Sequence, residues 1–207
     1  MTATALSNPK LDAFIEECKA MLKPDDVVIC DGSQDEYQRM LKLMVDTGVA
    51  MWLDPAKRPN SILVRSDPGD VARVEDRTFI CSQKKDDAGP TNNWNDPAET
   101  KELLKGLYDG CMTGRTMFVI PYSMGPIGSP IAKIGVMVTD SAYVVANMHI
   151  MARVGSKVLD VLGDSEDFVR GIHSVGYPLS DAKKADTTWP CDAQNNYVTH
   201  SPETREI

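Results

Sequence analysis

Residues 115–155 read RTMFVIPYSMGPIGSPIAKIGVMVTDSAYVVANMHIMARVG, and the fold turns on them. The apolar run from Thr116 to Ile120 predicts a strand that stops at Pro121, since proline fixes φ and removes a ladder donor. From Pro121 to Pro130 the chain carries three prolines and two glycines, the composition of a stiff loop. A second apolar run, Ile134 to Val138, leads into a helical pattern capped by Asp140 or Ser141 and ending at Gly155. Val144, Val145, Met148, Met151 and Ala152 form its expected buried stripe, with His149 off it. The order is strand, rigid loop, strand, helix.

Part of that loop, GSPIAK at 128–133, imitates a phosphate-binding loop but fails as one. Pro126 and Pro130 remove backbone donors, and Ala132 stands where a glycine should precede the lysine. The loop reads as a connection between strands.

Upstream, helices and strands alternate. Asn8 caps and Pro9 opens a helix whose stripe is Leu11, Phe14, Ile15, Cys18, Met21 and Leu22, ended by Pro24. Val27 to Cys30 is a short strand closing at Asp31-Gly32, and Ser33-x-x-Glu36 is a capping box opening a second helix. Tyr37, Met40, Leu41, Met44 and Val45 are its buried face, and Gly48 its left-handed cap. Val49 to Leu53 and Ser61 to Arg65 read as strands. This alternation predicts an α/β domain, a sheet with helices packed on its faces.

Downstream of the Asp67-Pro68-Gly69-Asp70 turn, an extended Val71 to Arg77 would place Arg73, Glu75 and Arg77 on one face. Such a face is either a solvated edge with Glu75 between two arginines or an anion site, because arginine presents a planar donor fork to carboxylate or phosphate. Residues 84–96 form a polar loop anchored by Trp94. Asp96, Pro97 and Glu99 start a helix with Leu103, Leu104, Leu107 and Tyr108 expected inward and Gly110 at its end. Further on, Ser156 to Leu162 is a short helix, Phe168 to Ser174 a strand, and Tyr197 to Thr199 one more strand. The chain ends at Arg205-Glu206-Ile207 within strand-like sequence, as expected of the front part of a longer polypeptide.

Composition narrows the function. The 207 residues carry 22 Lys+Arg against 30 Asp+Glu, a net charge of -8, which argues against nucleic acid as a partner. There is no membrane-length apolar run and no signal-like start, so a soluble, cytoplasmic protein is expected. Five scattered cysteines without a CxxC pair suit reduced thiols. His149, His173 and His200 lack HxxxH spacing, and no nucleophile elbow, GxGxxG or complete Walker loop is present. These observations leave an α/β domain with a possible anion site at Arg73.

The block GCMTGRTMFVIPYSMGPIGSPIAKIGVMVTDSAYVVANMHIMARVG, with DVARVEDRTFICS, GPTNNW and GIHSVGYPL, closely resembles the amino-terminal part of GTP-dependent phosphoenolpyruvate carboxykinase, in the family's order. The resemblance implies a mixed β-sheet with helices on its faces, and residues 1–207 as the amino-terminal, substrate-side domain. It implies the conversion of oxaloacetate and GTP to phosphoenolpyruvate, carbon dioxide and GDP at the gluconeogenic branch point, with Mn2+ or Mg2+. The substrate-contacting arginine of the family's VAR-x-E motif matches Arg73, and the glutamate that helps hold the closed lid matches Glu75. The glycine-rich substrate loop, manganese ligands, phosphate loop with its reactive cysteine and metal-binding aspartate belong to a carboxy-terminal part that is missing here. No catalytic, cofactor or metal residue is therefore carried over, Cys191 is not that cysteine, and the chain alone is expected to be inactive. Departures are His149 where arginine is usual, Tyr177 for a smaller residue, and Asp192 where asparagine is frequent. Two rival readings are a stand-alone dicarboxylate- or phosphoenolpyruvate-binding module and a purely structural piece.

Overall fold

A computed structural model describes residues 8–68, 70, 75–176, 189–192 and 194–207. Helix α1 (Pro9–Leu22) starts where Asn8 accepts from the Leu11 amide and stops at Lys23, which turns left-handed before Pro24. Strand β1 (Asp26–Ile29) follows, then α2 (Gln34–Asp46), capped by Ser33 and terminated by Gly48 at φ 79°. Strands β2 (Ala50–Trp52) and β3 (Ile62–Val64) pair antiparallel, and β4 (Thr78–Ile80) and β5 (Asn93–Trp94) pair parallel. Next come α3 (Pro97–Tyr108), β6 (Thr116–Met124), β7 (Lys133–Thr139), α4 (Ala142–Met151), β8 (Arg153–Val154) and α5 (Ser156–Leu162). Strands β9 (Val169–Ile172) and β10 (Val198–His200) close the described order.

The central sheet is mixed. Its order is β1-β6-β7-β9, with β1 parallel to β6, β6 antiparallel to β7, and β7 parallel to β9, while β8 pairs with the far end of β6. Side chains alternate across a strand, and in β6 both faces are buried. Met117 and Val119 face a core built with α1 and α5, around Leu11, Phe14, Cys18, Leu22, Leu162 and Phe168. Phe118 and Ile120 face the other core, with Met40, Leu41 and Met44 of α2 and Val145, Ala146 and Met148 of α4. Helices thus cover both faces of the sheet, as the sequence predicts. Each such apolar side chain contributes about 1.5–3 kcal/mol by leaving water, and the run 117–120 adds to both cores at once.

Several expectations are corrected. The first strand does not stop at Pro121 but runs to Met124. The carbonyls of Val119 and Pro121 point to the β1/β8 side, accepting from the Cys30 and Gly155 amides (2.8 and 2.9 Å). Proline's absent donor therefore falls at the junction where β1 has ended and β8 begins, and no ladder bond is lost. Strands β2 and β3 form a separate hairpin rather than joining the sheet. Residues Glu75–Arg77 are a 3-10 turn, not extended, so Glu75 and Arg77 do not share a face with period two. The 84–96 stretch holds a 3-10 turn (Lys85–Ala88) and β5, with Trp94 Nε1 donating to Ser82 O. In α3 only Thr100 is buried and Leu103 is 44% exposed; in α4 Met151 is 70% exposed.

One close approach depends on glycine. Gly155 (φ 103°) and Gly32 (φ 75°) meet backbone to backbone, and a Cβ on Gly155 would lie 2.1 Å from Asp31 O. This contact seats the turn after β1 against the start of α5.

Candidate functional site

Arg73 lies outside the described residues, as does Tyr177. Its described flanks are held by distant parts of the chain. Asp70 accepts a 2.6 Å hydrogen bond from Trp189 Nε1, and Trp189 meets the Tyr143 ring edge-on at 5.1 Å. On the other flank Glu75 is exposed, and its carbonyl accepts from Asn93 Nδ2 at 2.7 Å. Arg77 is drawn away from Glu75: Nη1 donates to Gln194 O (2.9 Å), and the guanidinium sits 5.4 Å from the Tyr197 ring centroid.

Asp70 and Trp189 border a cavity of about 990 Å³. Its other walls come from α2, β3, α3, the start of β6, the β7–α4 junction, the end of β9 and residues 195–198. The polar part of the wall is a buried cluster that periodicity does not predict. Asp140, with its side chain fully buried, lies 3.6 Å from Arg115 Nη1, itself 7% exposed. Asp140 also accepts from Ser174 Oγ and the Val175 amide (3.0 Å each), fixing the segment after β9. Arg115 Nη1 donates to Cys111 O at 3.2 Å.

His173 completes the cluster. Its Nδ1 shares a 2.8 Å hydrogen bond with Thr139 Oγ1. The Thr139 oxygen also accepts from the Ser141 amide at 3.1 Å, so this one hydroxyl ties His173 to the start of α4. Burial lowers the His173 pKa below its usual value, against the nearby Asp140 and Asp70 charges. Burial likewise raises Asp140, opposed by the Val175 amide, Arg115, His173 and Ser174. The wall of the cavity thus carries charge-assisted hydrogen bonds and rigidly placed hydroxyls.

Of the cysteines, Cys191 lines the cavity and the other four lie outside its wall. Burial pushes the Cys111 thiol up to about 11 and Cys18 up to about 12, and it also raises Cys81 and Cys30. Cys191 is half-buried and raised too, by burial and by Asp70, Asp67 and Asp192. Among the described residues, no three His, Cys, Asp or Glu side chains converge on a metal position. No described helix is long and apolar enough to cross a membrane.

A second buried polar pair lies between α2 and α4. Glu36 is 3% exposed; its carboxylate accepts from the Asp31 and Gly32 amides (2.7 and 3.2 Å) and from His149 Nε2 (2.9 Å). The capping box is therefore only half as expected: Ser33 Oγ accepts from the Glu36 amide, but Glu36 reaches past Ser33 into the preceding turn. His149, read as off the stripe, is the partner that makes Glu36 buriable. Its signal in the sequence was the departure from arginine at that position.

The phosphoenolpyruvate carboxykinase N-terminal domain family matches residues 13–207. Over 206 residues the chain is 52% identical to the phosphoenolpyruvate carboxykinase (GTP) of Neocallimastix frontalis, covering 100% of this chain and 34% of that protein. It is 54% identical over 203 residues to that of Treponema pallidum (98% and 32%) and 50% over 201 residues to that of Corynebacterium efficiens (97% and 32%). The chain spans about a third of the length of these relatives.

Proposed function

The chain belongs to the phosphoenolpyruvate carboxykinase N-terminal domain family, and on that premise we propose that it is the amino-terminal, substrate-side part of a GTP-dependent phosphoenolpyruvate carboxykinase. The whole polypeptide would convert oxaloacetate and GTP to phosphoenolpyruvate, carbon dioxide and GDP in the cytoplasm. The observation that carries the reading is about 50% identity along the whole chain to proteins bearing that name. GTP and Mn2+ or Mg2+ would supply the phosphoryl group and its charge neutralisation. Among the described residues no group of His, Cys, Asp or Glu fits a metal ion, and this reading assigns both GTP and the metal to the carboxy-terminal remainder.

What this chain contributes is binding and orientation. The Arg73 fork would hold an anionic end of oxaloacetate, and Glu75, exposed on its 3-10 turn, would meet the closing lid. The Asp70–Trp189 and Glu75–Asn93 hydrogen bonds pin the two flanks of that arginine. By itself the chain is inactive in this reading, because phosphoryl transfer needs the nucleotide and metal clamps.

Two kinetic measurements test this. The complete polypeptide should form phosphoenolpyruvate from oxaloacetate only with GTP, and the 207-residue chain should not. Arg73→Ala in the complete polypeptide removes a charge-assisted contact worth about 1.5–3 kcal/mol, a loss of roughly 10- to 150-fold in kcat/KM. Unaltered kinetics would dismiss Arg73 as a substrate residue.

A further inference from the structure

Two backbone edges face each other across the cavity. On one side His173 N donates inward to Val138 O, whereas Arg170 N and Ile172 N donate outward to Arg205 O and Ile207 O, all at 2.9 Å. By alternation along an extended strand, Ser174 N points the way Ile172 N does, and none of the described residues accepts from it. On the other side His200 O accepts from Cys81 N, so His200 faces β4 and Thr199 faces away. Ser201, two residues on, exchanges both backbone bonds with Glu206 (2.8 and 3.2 Å). Residues 205–207 thus lie in a slot, parallel to β9 and antiparallel to the stretch beyond β10.

The cavity continues that slot. Beyond Ile207 its walls are His173, Ser174 and Val175 on one side and Tyr197 and Val198 on the other. We propose that the slot is the seat of the residues that follow Ile207 in the longer polypeptide, entering as a β-strand that joins the two sheets. The combined order is β1-β6-β7-β9, the new strand, then β10-β4-β5. Pairing of Arg170 with Glu206 and of Ser201 with Glu206 sets the register. Ser174 N–H donates to the carbonyl of the second residue beyond Ile207, and Thr199 exchanges both its backbone bonds with the first. Gly176, at φ 75°, turns the β9 edge away, so the chain is released after about three residues beside Arg115, Asp140 and His173.

The occupant follows from what lines the slot. Main-chain donors and acceptors at strand spacing on both walls are satisfied together by another main chain, the logic of strand addition to a sheet edge. The chain spans about a third of its relatives' length, so further polypeptide is at hand to fill it. This deepens the proposed function and rests on it: the candidate site is completed by the next segment of the same protein.

Amide hydrogen exchange on the complete polypeptide and on the 207-residue chain tests the proposal without any assay of turnover. Ser174 and Thr199 amides are expected to exchange at least about ten-fold slower in the complete polypeptide, with Arg170 and Ile172 protected in both. If the shorter chain leaves Arg170 and Ile172 unprotected, the comparison is made within the complete polypeptide: rates for Ser174 and Thr199 near that of Ile172 support the strand, and loop-like rates overturn it. Equal exchange of Ser174 and Thr199 in both proteins also overturns it. So does their protection by added oxaloacetate in the shorter chain alone, which would assign the slot to substrate. An inactive complete polypeptide that still protects both amides would refute the proposed function and leave this pairing standing.

Discussion

Replacing Glu36 with alanine removes a carboxylate that ties α2, the Asp31–Gly32 turn and α4 together. The carboxylate is buried and accepts from two amides and from His149. A buried donor left without an acceptor costs about 1–3 kcal/mol. The Asp31 amide belongs to an exposed residue and can be rehydrated, which leaves the Gly32 amide and the His149 ring with the deficit. The expected loss is about 3 kcal/mol, a large part of the about 5–15 kcal/mol that holds such a domain folded. Urea unfolding read by circular dichroism measures it: the midpoint should fall while the slope m stays constant. Glu36→Gln keeps one acceptor but turns an amide N–H2 toward donors, so its loss should be about 1–2 kcal/mol. A Glu36→Ala loss below about 1 kcal/mol would refute the claim that this carboxylate organises the junction.

Three further outcomes are expected. Gly155→Ala forces a Cβ onto Asp31 O at a φ of 103°, combining backbone strain with a backbone clash; a loss of about 3 kcal/mol or more is expected in the same unfolding assay, and a neutral substitution would remove the close approach. His173 is held below its usual 6.5, so the unfolded chain binds a proton there that the folded chain refuses, and its contribution to stability is lost as pH falls through about 6.5. Asp140 works oppositely: raised from 3.8, it favours the folded state most at low pH and loses that contribution as pH rises. Going from pH 7.5 to 5.5, the melting temperature of the unaltered chain should therefore move downward relative to that of His173→Gln; parallel profiles would discount the histidine. Cys18, Cys30, Cys81 and Cys111 are buried, so a thiol reagent should label Cys191 alone in the native chain and all five cysteines in urea.

Local chemistry accounts for what was legible. Asn8, Ser33, Asp96 and Ser141 bond amides two or three residues on, so the helix starts are visible in neighbouring letters. The central strand was equally visible, because 116–120 is apolar at every position after the threonine; its burial on both faces is a finding of the structure. The reading failed where a residue's partner is distant in sequence. Pro121 looked like a stop because the β1/β8 junction that excuses its missing donor is assembled from residues 26–29 and 153–154. Leu103 and Met151 looked buried because periodicity gives a face but not what covers it. The site fared likewise: resemblance singled out Arg73 and Glu75, whereas Asp140, Arg115 and His173 meet only through the β6, β7 and β9 ends.

The sequence by itself determined the helix starts, the central apolar strand and the family, whereas the helix read as running to Gly155 ends at Met151 and gives way to β8. The helix starts and that strand rest on short-range hydrogen bonds and on the free energy of removing contiguous apolar side chains from water. Only the tertiary structure decided that the sheet is ordered β1-β6-β7-β9, that Glu36 and His149 are partners, and that Arg115, Asp140 and His173 line one cavity. Burial of charge is the reason. A carboxylate, guanidinium or imidazole can leave water only when groups from other elements satisfy it, and which elements those are is fixed by packing rather than by spacing along the chain.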